Sequence, residues 1–239
     1  MTKTYIPERA MFIYAHPDDI EFGVAGTAAL WAKHGAEVIY VVITDGNVGS
    51  TEPDMTAEKL AEIRRVEQTA AAEVAGATCI YLGYHDGLLQ PTLELRKKLV
   101  RLIRQHKPNV VVCGDPTVFF SGDGTRINHP DHRAAAQAAL DAVFPACEMH
   151  LLYPEMEAEG LTAHKVNYVY VSYGQNPNYY VDISETIDTK IEALRQHVSQ
   201  LGDWDPEERL KEWSSGTGKK VGFKYAEAFR RIVLKEIEE

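Results

Sequence analysis

Apolar residues fall into two alternating patterns along this chain. Arg9 to Tyr14 reads as a first strand, and Glu37 to Thr44, a near-continuous β-branched run, as a second strand buried on both faces of a parallel sheet. Thr78 to Leu82 and Val110 to Cys113 read as a third and a fourth. Between them apolar positions recur at helical spacing: from about Gly23 to His34, from Thr56 to Ala75 and from Thr92 to His106. In the last of these, Leu93, Leu95, Leu99, Leu102 and Ile103 supply the apolar face. Gly35 and Gly76 stop the first two helices, and Lys107-Pro108-Asn109 stops the third. Strictly alternating strands and helices predict a parallel sheet covered by helices on both faces.

The pattern loosens after the fourth strand. Gly114 to Asn128 is a long loop, uncommon in a compact domain unless it has a task. An Ala-rich helix follows to about Phe144, with His129 at its cap, Pro130 at the first helical position and His132 in the first turn. Tyr168 to Ser172 and Tyr179 to Asp182 read as two strands, a hairpin that extends the sheet or rims a site. Ser184 to Leu201 reads as a helix capped by Ser184, Asp203 to Gly218 as a polar lid or interface loop, and Lys224 to Ile237 as an amphipathic helix. No linker or low-complexity stretch interrupts residues 1–239, so one domain is expected. The expected fold class is α/β: a Rossmann-like three-layer sandwich, with a mostly parallel sheet, helices on both faces and a C-terminal strand-pair extension.

Composition narrows the function classes. The formal charge of −10 offers no basic face to offset phosphate repulsion, so neither nucleic acid nor a membrane surface is an expected partner. No stretch approaches the ~20 apolar residues of a membrane span, and the N-terminal residues lack an apolar signal-peptide core. Cys79, Cys113 and Cys147 are few and odd in number, which suits a reducing compartment; a cytoplasmic location is expected.

The chemistry-bearing residues cluster in two places. Tyr14-Ala-His-Pro-Asp-Asp-Ile-Glu-Phe-Gly-Val-Ala-Gly-Thr27 links the first strand to the first helix, where open α/β sheets bind ligands. His16 and Asp19 give that loop two of the three protein ligands of a catalytic zinc site. Asp18, adjacent and not needed as a ligand, can serve as a general base. His-Pro-Asp-Asp is also ordinary turn chemistry, and the local sequence alone leaves both readings open. His129 and His132 form the second cluster. Strands one and four are often neighbours across the switch point of a doubly wound sheet, which would bring both clusters to one crevice. Gly23-Val-Ala-Gly26 lacks the G-x-G-x-x-G spacing of a dinucleotide loop, and its preceding carboxylates would repel a pyrophosphate.

These segments resemble the LmbE-like, or PIG-L, N-acetylglucosaminyl deacetylases. The family signature, Ala-His-Pro-Asp-Asp-x-Glu-x-Gly-x-Gly-Gly-Thr with a later His-x-Asp-His, is matched by Ala15 to Thr27 and by His129-Pro-Asp-His132. Ala25 departs from it, standing where the family usually has Gly. Ile63-Arg-Arg-Val-Glu67, Tyr81-Leu-Gly-Tyr-His-Asp-Gly87 and Tyr225-Ala-Glu-Ala-Phe229 also resemble family segments, so the likeness runs through most of the chain. The resemblance implies a zinc-dependent hydrolase that removes the N-acetyl group from an amino sugar or its conjugate. It implies His16, Asp19 and His132 as zinc ligands, Asp18 as general base, and His129 as acid or oxyanion stabiliser. It further implies Arg64 and Asp86 as residues that hold sugar hydroxyls.

His2Asp sites also accept iron, cobalt or manganese. Family members are often oligomers, which leaves a homo-oligomer open, with the 203–218 segment and the last helix as candidate contacts. Asp131 is expected to stabilise the first turn of its helix, and Glu21 to order the loop around His16. The competing readings are an amidase of a thiol–sugar conjugate, a zinc-containing carbohydrate-binding protein without turnover, and a metal-free nucleotide-binding domain. Asp18 and His129 together argue against simple sugar binding, which needs neither.

Overall fold

Strand β1 (Arg9–Tyr14) is buried from Ala10 onward, so both of its faces need apolar cover. The chain supplies that cover by alternation. In order follow α1 (Asp19–Gly23), α2 (Ala25–Lys33), β2 (Glu37–Thr44), α3 (Ala57–Val74), β3 (Thr78–Tyr84), α4 (Leu93–His106), β4 (Val110–Cys113), α5 (Pro130–Val143) and α6 (Pro154–Ala158). The remainder comprises β5 (Tyr168–Val171), β6 (Tyr179–Asp182), α7 (Ile187–Arg195), α8 (Val198–Leu201), α9 (Glu207–Gly218) and β7 (Ala226–Val233). This computed structural model describes residues 5–120 and 124–236.

Among the described residues the strands form one sheet in the order β3-β2-β1-β4-β5-β7-β6. The first five are mutually parallel, and β7 runs antiparallel to both β5 and β6. The order reverses at β1, which pairs with β2 on one side and β4 on the other. That is the switch point where a crevice opens beyond the strand ends. Alternation along β1 divides the core into two layers. Phe12 and Tyr14 join Tyr40, Trp31, Tyr170 and Phe229 on one face; Met11 and Ile13 join Ile39, Val41, Leu99 and Ile103 on the other. The expected Rossmann-like α/β sandwich is present.

The C-terminal third departs from expectation in three places. The expected helix over Lys224–Ile237 is strand β7, which ends at Val233; Ile237 lies outside the described residues. Its apolar positions fit a helix stripe, but β5 and β6 each present a free edge, and pairing with both outweighs local periodicity. For the same reason β5 and β6 are not a hairpin: β7 lies between them. The expected loop over Asp203–Gly218 contains helix α9, whose inward positions Leu210, Ser214 and Gly218 are at helical spacing. Only one of the three is strongly apolar, so no hydrophobic period marks it. The expected helix from Ser184 breaks at Gln196–His197 into α7 and α8.

One buried link ties the last strand to the first loop. Glu227 of β7 accepts hydrogen bonds from the amides of Gly26 (3.0 Å) and Thr27 (2.8 Å) at the start of α2. Lys190 of α7 pairs with the same carboxylate at 2.6 Å and donates to Gly23 O at 2.8 Å. A Cβ at Gly26 would stand 2.9 Å from Glu227 Oε1, so only glycine allows this approach. Both charged side chains are almost wholly buried. Breaking such a pair leaves an uncompensated charge, so Lys190→Met is expected to cost about 3–5 kcal/mol in urea unfolding. A loss below about 1 kcal/mol would show that the pair contributes little.

Candidate metal and catalytic site

His16, Pro17, Asp18 and Asp19 turn the chain from the end of β1 into α1. The turn is anchored from β2: Thr44 donates to Ala15 O through both its backbone amide (2.7 Å) and its Oγ1 (2.9 Å). Asp18 occupies the N-cap position of α1 with a left-handed backbone, φ 94°, unfavourable for a residue with a side chain. Asp19 begins α1, and its Oδ2 accepts a hydrogen bond from the His16 amide at 2.9 Å. The turn therefore directs two successive carboxylates to different neighbours.

α5 brings the second cluster. As expected, His129 is the N-cap and Pro130 follows it. His129 Nδ1 accepts the Asp131 amide at 3.2 Å, which leaves the proton of the neutral ring on Nε2. His132 Nδ1 contacts Asn128 Oδ1 at 3.0 Å, and its Nε2 lies 3.0 Å from Asp19 Oδ1. The two clusters meet: the His16 ring is 4.7 Å from that of His129 and 5.1 Å from that of His132. His16 Nδ1 is 3.5 Å from Asp19 Oδ2. Candidate ligand atoms of His16, His129 and His132 lie within 4.8 Å of one another, as do those of His16, Asp86, His129 and Asp131.

The donor set fits a divalent cation. Asp18, Asp19, Asp86 and Asp131 bring four carboxylates to three imidazoles at one end of the sheet. Imidazole and carboxylate are ligands suited to zinc and its first-row neighbours. His16 Nε2 is buried, 2.9 Å from Asp86 Oδ1 and 3.5 Å from Asp131 Oδ2, yet neither oxygen lies along its N–H direction. Burial alone would lower the His16 pKa, but Asp131, Asp19 and Asp86 outweigh it and push the ring up to about 12. Burial opposes ionisation of Asp19, yet His132 and His16 hold its carboxyl well below the usual range. Protons thus balance part of the charge that a cation would balance.

Asp18 differs from Asp19. Burial pushes its carboxyl up to about 6 against the pull of Arg64, with Asp19 adding repulsion. Arg64 is 3% exposed, and its guanidinium donates to Gly46 O (3.0 Å), Pro17 O (2.5 Å) and Asp18 Oδ2 (3.0 Å). A Cβ at Gly46 would stand 2.4 Å from Arg64 Nη1; its φ of 61° also suits glycine. Asp86 is 7% exposed, beside His16. The residues singled out in the sequence therefore converge, with Arg64 on Asp18 and Asp86 on His16.

One neighbour differs from expectation. Asp131 does not cap its own helix; its carboxylate accepts the amides of Gly87 (2.7 Å) and Leu89 (3.2 Å), joining α5 to the loop after β3. Glu21 reaches the loop at one remove: among the described residues its carboxylate accepts from Gln68, which in turn accepts the Asp18 amide, and it also lies beside His197. Gln68 and His197 carry no motif, and only the fold brings them there.

Comparison with known proteins identifies the family. Residues 11–143 match the sequence profile of the PIG-L family, described as GlcNAc-PI de-N-acetylase. The diacetylchitobiose deacetylase of Thermococcus kodakarensis is 34% identical over 231 residues, covering 94% of this chain and 83% of that protein. The crystal structure of N,N'-diacetylchitobiose deacetylase from Pyrococcus horikoshii superposes with a TM-score of 0.87 at 31% identity, covering 95% of this chain and 84% of that one. A 4-carboxy-2-hydroxymuconate hydratase from Pseudomonas putida shares the fold, with a TM-score of 0.79 at 21% identity over 97% of this chain and 99% of its own.

Proposed function

This chain belongs to the PIG-L family, and from that premise we propose that it is a metal-dependent deacetylase. Its substrate is a sugar of the N-acetylglucosamine type or a conjugate of one, in line with the activities named for its relatives. The observation that carries the reading is the convergence of His16, Asp19 and His132 with Asp18 beside them at the switch point. His16, Asp19 and His132 hold the ion, and zinc is the metal their chemistry favours.

An amide is a poor electrophile and an amine a poor leaving group. A divalent cation at this site supplies Lewis acidity to both water and carbonyl. Asp18 takes the proton from the attacking water. Arg64 holds Asp18 Oδ2 and leaves Oδ1 for that proton. His129, with its Nδ1 engaged by the Asp131 amide, directs Nε2–H to the carbonyl oxygen as charge develops there. Proton delivery to the leaving amine completes the cycle. Asp86 holds a sugar hydroxyl through the oxygen not turned to His16, and Arg64 contributes to the sugar site through the loop it fixes.

The test is amine release from a panel of N-acetylglucosamine derivatives: the monosaccharide, N,N'-diacetylchitobiose, inositol- and malate-linked sugars, and an acylated antibiotic sugar. Release from at least one, abolished by a chelator and restored by zinc, is the expected result. Release that persists after complete metal removal would overturn the metal-dependent mechanism. Sugar binding without any release would favour the carbohydrate-binding reading.

A further inference from the structure

Behind Asp18 lies a chain of buried polar side chains that the chemistry above does not use. Arg64 and Gln68 are four residues apart on α3, so they share one helix face. Arg64 grips the Asp18 carboxylate, and Gln68 Oε1 accepts the Asp18 amide at 2.9 Å. Gln68 Nε2 donates to Glu21 Oε1 at 3.0 Å. Glu21 Oε2 lies 3.3 Å from His197 Nε2, at the break between α7 and α8, but the two atoms are not aligned for a hydrogen bond. Gln68, Glu21 and His197 are each 0% exposed.

The orientation of Gln68 is determined by its partners on both sides. A carboxylate is acceptor only, so Glu21 must face the NH2 end of Gln68. That turns the carbonyl end of Gln68 towards Asp18. The bond it receives holds the peptide of the one residue in this turn whose backbone is left-handed, a conformation that persists only when its surroundings enforce it. The same turn separates the directions of Asp18 and Asp19. An error of about 1 Å in the placement of a catalytic group can cost ~10²-fold in rate.

We propose that Gln68, oriented by Glu21, is the positioning residue for the general base: its carbonyl holds the Asp18 peptide in the left-handed turn that aims the carboxylate at the attacking water. This inference rests on the deacetylase reading.

The test uses metal-loaded full-length protein on whichever panel substrate the wild type cleaves, so failure of the wild type on the whole panel counts against the deacetylase reading and not this one. Gln68→Met is expected to lower kcat roughly 10- to 100-fold, with KM and bound metal per chain near wild type. Gln68→Asn, which keeps the amide but cannot span both partners, is expected to show a smaller loss of the same kind and serves if the Met variant does not fold. Glu21→Gln can still accept from Gln68 and should recover most of the kcat that Glu21→Met loses.

The decisive comparison is with Asp18→Asn. Adding Gln68→Met, or Gln68→Asn, to that variant should lower the residual rate by less than about twofold, because residues acting as a unit are not additive. The same fold-loss with and without the Asp18 carboxylate would overturn the proposal, as would a loss confined to KM or to metal content.

Discussion

Asp18→Asn is expected to leave a folded, metal-loaded protein whose kcat is lower by about 10²–10⁴, the usual contribution of a positioned general base. The substitution is nearly isosteric, and the Asn carbonyl can still accept from Arg64. It removes only the ability to take a proton. Asp19, His16 and His132, the proposed ligands, are untouched, so bound metal should stay near one ion per chain, which separates loss of a base from loss of a site. An Asn variant with more than a tenth of wild-type kcat would move the role of base to another residue.

His132→Ala is expected to act on the metal itself. A cation that binds only the folded protein stabilises it by about 2.7 kcal/mol when present at 100 times its Kd. Adding zinc to the chelated wild type should therefore raise its Tm by several degrees. In His132→Ala the site keeps His16 and Asp19 but loses the nitrogen that lies 3.0 Å from Asp19 Oδ1. The zinc-dependent rise should vanish, and deacetylation should fall to background. An undiminished rise in Tm would place the ion elsewhere, and the group of His16, Asp86, His129 and Asp131 would be the next to substitute.

The parts of this site that the sequence discloses are those built from contiguous residues. His16, Asp18 and Asp19 stand in one turn, and His129 and His132 at one helix end, so their residue types and spacing carry the chemistry. The strand order that joins them follows from the alternation of β1 to β4. Gln68 and His197 were not legible, because each is a single polar residue, one on α3 and one at the break between α7 and α8, whose place beside α1 appears only in the folded chain. The strand nature of Ala226–Val233 was hidden for a related reason: its neighbours in the sheet decide its conformation, and its own periodicity points the other way. The shared fold of the Pseudomonas putida hydratase shows why topology does not select the reaction; the side chains at the switch point do.

The position of β7 has a consequence for how the chain is made. The sheet is filled from β1 outward to β5, but β7, which pairs with β5, follows both β5 and β6 in the chain. Until it emerges, β5 keeps an open edge and β6 has no partner; both are exposed to pairing with other chains. The amides of Gly26 and Thr27, complete some two hundred residues earlier, also wait for Glu227. The sheet therefore cannot be completed before β7 is in place. One segment, β7, thus both joins β5 to β6 and supplies the carboxylate that caps α2.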